Sequence, residues 1–175
     1  MFGKKSVVWL FVCVLSLGSS VSFAQPVGYI GGSWGSSSVD VSGYDSSGSY
    51  KIYFGTYFSR NVALELAYTH LGEFTYDEAN GGRIDTNGYE MTLVGVYPVS
   101  DNWSLLARAG AYAWNADDRW QGSSRATDDG TSLTYGVGLS TVLSDTTNFQ
   151  LEYQKYDDIS GGNFDSIFGS LTYKF

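Results

Sequence analysis

The sequence predicts an all-β protein, an eight-stranded antiparallel up-and-down transmembrane β-barrel, and three observations predict it. From Gln25 onward the apolar residues recur with a period of two, in eight successive segments. The connections between them alternate between short turns and long polar stretches. The last ten residues place Ile167, Gly169, Leu171, Tyr173 and Phe175 on one strand face and Ser166, Phe168, Ser170, Thr172 and Lys174 on the other. Such a terminal strand suits a closed barrel, whose final strand pairs with the first and leaves no sheet edge in lipid.

The chain opens as a secretory precursor. Lys4 and Lys5 make a positive amino-terminal region, Val7–Leu17 an apolar run, and Ser22-Phe23-Ala24 a small-x-small cleavage site before Gln25. The run is too short to span a bilayer. Residues 1–24 are therefore expected to be a cleaved signal peptide and residues 25–175 the barrel domain. Val12, rather than a small residue, precedes Cys13, which does not fit a lipoprotein signal. Cys13 is the only cysteine and leaves with the signal, which excludes disulfides, thiolate catalysis and cysteine-held metals in the mature chain. Removing Lys4 and Lys5 takes the formal charge from −8 to −10, and an acidic chain without basic clusters argues against nucleic acid as a partner.

Strands are expected at Val27–Gly35, Ser49–Phe58, Val62–Leu71, Thr86–Tyr97, Trp103–Asn115, Thr131–Leu143, Asn148–Tyr156 and Phe164–Phe175. Most are near the roughly 9–11 residues that a tilted strand needs to cross hydrocarbon, and eight is an even number, as bacterial single-chain barrels have. The short turns are Ser59-Arg60-Asn61, Pro98–Asn102 and Ser144–Thr147, and each leads through an asparagine (Asn61, Asn102, Asn148) into an apolar residue. The longer connections, Ser36–Gly48, Gly72–Asp85, Ala116–Gly130 and Asp157–Asn163, are rich in Gly, Ser, Asp and Asn. Short periplasmic turns opposite long outward loops are the arrangement of outer-membrane barrels.

The faces separate by polarity. One carries Ile52, Phe54, Leu64, Leu66, Tyr89, Leu93, Leu105, Leu133, Val137, Leu139 and Leu151; the other carries Lys51, Glu65, Glu90, Arg108 and Glu152 among Gly, Ser, Thr and Gln. A soluble barrel such as a lipocalin would put the charges outside, and Gly32-Ser33-Trp34 does fit the Gly-x-Trp of a lipocalin first strand. Periodicity alone does not choose between the two. The signal sequence and the apolar terminal strand favour lipid on the outside. Phe58, Tyr97, Trp103 and Phe149, at the turn-side strand ends, then form a periplasmic aromatic girdle together with Tyr173 and Phe175.

Two stretches, Ala63–Gly72 and Trp103–Trp114, resemble the OmpA-like transmembrane β-barrel family, and the likeness extends over essentially the whole mature chain. The chain stops at the barrel, so the resemblance implies an architecture like that of the barrel-only members of OmpX, Ail and opacity type, located in a Gram-negative outer membrane. Cell-wall tethering does not carry over. Tyr173 and Phe175 also resemble the carboxy-terminal signal read by the outer-membrane assembly machinery, an aromatic final residue with another two before it; Gly169 stands one position from the expected small residue.

Five interior charges are the first candidate site. Glu65, Glu90, Arg108 and Glu152 point inward near mid-height from four strands, and Lys51 or a carboxyl that stays protonated offsets the excess of carboxylates. An eight-stranded barrel is just wide enough to be filled by side chains, so a salt-bridge network around Arg108 that plugs the interior is preferred over a gated conduit. His70, the lone histidine, is expected at the lipid-facing rim of the third strand. A lipid A hydrolase would need a serine two residues from it, where Gly72 stands, so no enzyme is expected.

The acidic pairs Asp77-Glu78, Asp117-Asp118, Asp128-Asp129 and Asp157-Asp158 are expected in the loops, offset only by Arg83, Arg119 and Arg125. The pairs read as a solvated surface. Asp157-Asp158 with Asp165 lacks an EF-hand register. Divalent ions could still bridge loop carboxylates to lipopolysaccharide phosphates.

No cofactor is expected. The expected role is a structural or surface-interaction protein, with outer-membrane lipids, lipopolysaccharide, the assembly machinery and an unidentified extracellular molecule as partners. The alternative is a narrow porin. Intact-mass measurement of the membrane-extracted protein should give a mature chain starting at Gln25; a mass retaining residues 1–24 would overturn the signal assignment.

Overall fold

Eight alternating segments can satisfy their backbone groups in only one closed arrangement, each strand pairing with its sequence neighbours and the last with the first. The computed structural model describes residues 28–40, 46–75, 83–119 and 126–175. It has that topology: a closed barrel in the order β1-β2-β3-β4-β5-β6-β7-β8. The strands are β1 Gly28–Val39, β2 Ser47–Ser59, β3 Val62–Thr75, β4 Arg83–Pro98, β5 Trp103–Arg119, β6 Ala126–Val142, β7 Thr147–Ile159 and β8 Gly162–Lys174. Residues 1–24, Val27, Asp77, Glu78 and Arg125 lie outside the described residues.

Closure is continuous. β1 pairs with β8 from Tyr29–Lys174 to Val39–Phe164, and the Phe175 amide donates to the Gly28 carbonyl at 2.9 Å. Inside the seam, Ser33 bonds Ser170 at 2.7 Å and Ser37 bonds Ser166 at 2.6 Å. Two glycines, Gly31 of β1 and Gly55 of β2, serve packing. A Cβ on Gly31 would lie 2.3 Å from the Tyr53 ring, and one on Gly55 would lie 2.1 Å from that of Tyr29. Both rings are buried and pack edge-to-face, and Tyr53 OH bonds Thr172 at 2.6 Å.

The two faces are as the alternation requires. Leu133 and Val137 are 67% and 63% exposed on the outer surface, whereas Lys51, Glu65, Glu90, Arg108 and Glu152 are all buried inside. Phe58, Tyr97, Trp103, Tyr173 and Phe175 stand on the outer surface at the turn end, with Phe149 partly covered.

The opposite end differs from the expectation. The strands there run beyond the expected limits, so Asp117, Asp118, Asp128, Asp129, Asp157 and Asp158 lie in β5, β6 and β7 rather than in loops. Only Ser160 and Gly161 separate β7 from β8. The reason is an inversion of the pattern. Beyond the apolar band the outer face carries Glu73, Arg83, Asn115 and Asp129, and the interior becomes apolar, with Leu71, Phe74, Trp114, Ala116, Ile159 and Phe164 buried. This is the polarity of a barrel standing in water. A bulge at His70/Gly72, with Gly72 at φ +110°, lets both Leu71 and Phe74 point inward.

Gly31→Val should destabilise the barrel by about 1–3 kcal/mol through overpacking against Tyr53. The change is read as a lowered urea midpoint for unfolding from lipid vesicles, and an unchanged midpoint would refute this packing role.

Candidate functional site

The interior charges come from strands that the closed topology places around one axis. Arg108 on β5 is the hub. Its Nη1 donates to Glu65 Oε1 on β3, while Nη2 donates to Glu152 Oε1 on β7 at 2.6 Å and reaches Gln150 Oε1 at 3.3 Å. Lys51 on β2 lies 3.7 Å from Glu152 Oε2 and donates to Gln154 Oε1 at 2.9 Å. Tyr29 OH donates to Glu65 Oε2 at 3.1 Å. Bridging two carboxylates with one planar guanidinium offsets charge that would be costly to bury alone.

Glu90 is arranged differently from the expectation. It makes no ion pair with Arg108; it accepts from Thr69 Oγ1 at 2.9 Å, from Tyr156 OH at 3.2 Å and from Gln154 Nε2. Gln154 is the link that sequence reasoning missed. Its carbonyl takes the lysine and its amide serves Glu90 and, at 2.8 Å, Thr134. A neutral amide at an inward-facing position looks like ordinary barrel lining; its only signal was alternation with Glu152 on β7.

Aromatic packing brackets the network. On the turn side Tyr29, Tyr53, Ala63, Ala67 and Val94 form one apolar cluster; toward the other end Leu71, Phe74, Tyr112, Trp114, Ala116, Tyr156, Ile159 and Phe164 form another. Lys51 Nζ sits 5.0 Å from the Phe168 ring centre and 5.9 Å from that of Tyr53, close enough for cation–π attraction. Tyr53, Tyr112, Tyr156, Phe168, Lys51, Gln154, Glu65, Glu90 and Glu152 are all at most 2% exposed.

His70 is less isolated than its place in the sequence implied. On the outer surface its Nε2 lies 3.1 Å from Asp85 Oδ1, and its ring stacks on Tyr50 at 4.9 Å. Its Nδ1 has no hydrogen-bond partner among the described residues. Asp165 is engaged by Tyr153 OH at 2.5 Å and by Lys155, and Asp157 by Tyr135 OH, so these carboxylates are tied to the neighbouring strands. No cluster of three or more potential metal ligands occurs among the described residues.

Known proteins share this closed eight-stranded barrel with an apolar outer band. The family model for the outer membrane protein beta-barrel domain matches residues 9–175. The chain belongs to this outer-membrane barrel family. Outer membrane protein A of Salmonella typhi is 28% identical over 107 residues, covering 58% of this chain and 31% of that protein, so the chain spans about a third of that relative. Among solved structures, the barrel superposes on Yersinia pestis Ail with TM-score 0.62 at 16% identity, over 87% of this chain and 100% of Ail. The amino-terminal barrel of Pseudomonas aeruginosa OprF gives TM-score 0.61 at 13% identity, over 86% and 100%. This outer-membrane barrel therefore has its short turns on the periplasmic side and its longer strand extensions on the extracellular side.

Arg108→Met should destabilise the barrel by about 3–5 kcal/mol, because Glu65 and Glu152 stay buried without their shared cation. Adding Glu65→Gln and Glu152→Gln should recover much of that loss. Urea unfolding in vesicles would separate the cases, and a triple variant less stable than the single one would contradict the bridging role.

Proposed function

We propose that this outer-membrane barrel is a non-enzymatic structural and surface-interaction protein, its interior plugged by side chains and its extracellular end offering an acidic surface to partners. The plug rests on one observation: Arg108, bonded to Glu65 and Glu152 and joined through Lys51 and Gln154 to Glu90, crosses the interior from β2, β3, β4, β5 and β7. Opening a path for ions would mean breaking charge-assisted hydrogen bonds in a region of low dielectric, which costs far more than in water.

The surface role draws on exposed positions at the barrel's extracellular rim. Asp128, Asp129 and Asp158 are exposed beyond the apolar band, where divalent ions could join them to lipopolysaccharide phosphates or to an extracellular molecule. Within the membrane the partners are lipids, met by the apolar band and by the girdle of Phe58, Tyr97, Trp103, Phe149, Tyr173 and Phe175. During biogenesis Tyr173 and Phe175 are the residues offered to the assembly machinery, after loss of residues 1–24. The narrow porin, which takes the same network as a gate, is the competing reading.

Planar-bilayer recordings of the purified barrel should show no frequent, large, stable conductance steps, and liposomes carrying it should not swell in small sugars. Regular steps abolished by altering Glu65 or Arg108 would establish the porin instead. Lipid A from expressing cells should keep its mass; a deacylated or otherwise altered species would overturn the non-enzymatic role.

A further inference from the structure

The extracellular apolar cluster is not fully packed. Between it and the β7–β8 turn lies a cavity of about 190 Å³, walled by Val39, Phe74, Ile84, Ala116, Ile159 and Phe164. These residues come from six strands, so the walls belong to the barrel itself. The β7–β8 turn, Ser160 and Gly161, lines one side together with Gly162 of β8. No charged side chain is among the described lining residues.

Two hydroxyl residues line this apolar space: Ser160, whose Oγ donates to Asp128 at 2.9 Å, and Thr86. Thr86 is 0% exposed, and its Oγ1 has no hydrogen-bond partner among the described residues. Buried hydroxyls are nearly always satisfied, and leaving one unpaired costs about 1–3 kcal/mol. Other inward hydroxyls are paired, Ser132 with Trp114, Thr134 with Gln154 and Thr69 with Glu90; among the described buried hydroxyls Ser49 Oγ is the other one without a partner. The cavity is also cut off from the charge network. Tyr112 and Tyr156 stack edge-to-face at 5.0 Å, and their hydroxyls turn away toward the Thr69 carbonyl and Glu90.

We propose that this cavity binds a small neutral molecule, mostly apolar and carrying one hydroxyl or carbonyl group, which exchanges a hydrogen bond with Thr86. Size sets the scale of the ligand, since an apolar protein cavity of about 150 Å³ accepts benzene. The uncharged lining excludes ions and carboxylates, which would be buried without a partner. The Thr86 hydroxyl can donate to a carbonyl or accept from an alcohol, which selects such molecules over plain hydrocarbons. Benzyl alcohol and toluene, alike in shape and differing in that one group, are the matched probes. The site is independent of the plug and of any conduction through the barrel.

The test is methyl NMR on the full mature chain in lipid nanodiscs, titrated with each probe. Benzyl alcohol should shift the methyls of Val39, Ile84, Ala116 and Ile159 saturably, while those of Leu133 and Val137 on the lipid face drift linearly as the probe partitions into the bilayer. Thr86→Val keeps the shape and removes the hydroxyl; it should weaken benzyl alcohol about three- to tenfold, the size of one neutral hydrogen bond, and leave toluene unchanged. Ala116→Leu, which fills the cavity from the strand opposite Thr86, should abolish the saturable shifts for both probes. Linear drift at all methyls would overturn the site. Equal binding of both probes, untouched by Thr86→Val, would overturn the assigned ligand class.

Discussion

In hydrocarbon, an unpaired backbone N–H or C=O has no water to turn to, and this one constraint organises the barrel. It demands that β8 return to β1, and the seam is paired from Tyr29–Lys174 to Val39–Phe164. Closure at eight strands then sets the interior width, which side chains can just fill. The inward residues are chosen against each other. Gly31 and Gly55 leave room for Tyr53 and Tyr29, and serines bond one another across the seam.

The same closure separates three environments along the barrel axis. Through the apolar band lipid lies outside; at its turn end the interior holds the apolar cluster of Tyr29, Tyr53, Ala63, Ala67 and Val94, and above that the interior is polar. Charges there are tolerable because they bond one another: Arg108 is shared by Glu65 and Glu152, and Lys51 is held between Glu152, Gln154 and the Phe168 ring. Beyond the band the pattern reverses, with water outside and Phe74, Trp114 and Phe164 inside. The Gly72 bulge and the tight β7–β8 turn sit in this upper zone, where backbone irregularity is no longer penalised by lipid.

The reversal explains which parts of the fold could be read in the chain. Strands such as β3 and β5 were legible through the apolar band because lipid imposes a strict period of two on one face. Their extracellular extensions were not. Residues such as Asn115, Asp117, Asp128 and Asp129 look like loop composition, and only their apolar inward neighbours Trp114 and Ala116 mark the strand. In the interior, charged residues announce themselves because a charge on a membrane strand needs a partner; Gln154 and Thr69, which complete the coordination of Glu90, do not.

By itself the sequence determined the strand count, the faces, the topology and the inward charges, since each follows from local alternation and the need for closure. Tertiary structure alone decided the pairings. Glu65 and Glu152 lie 43 and 44 residues from Arg108, and which of the three carboxylates the guanidinium reaches depends on strand register. A slip of one residue would turn every side chain to the other face. Register also set the unfilled space beside Thr86, because a cavity exists only between side chains that distant strands bring together.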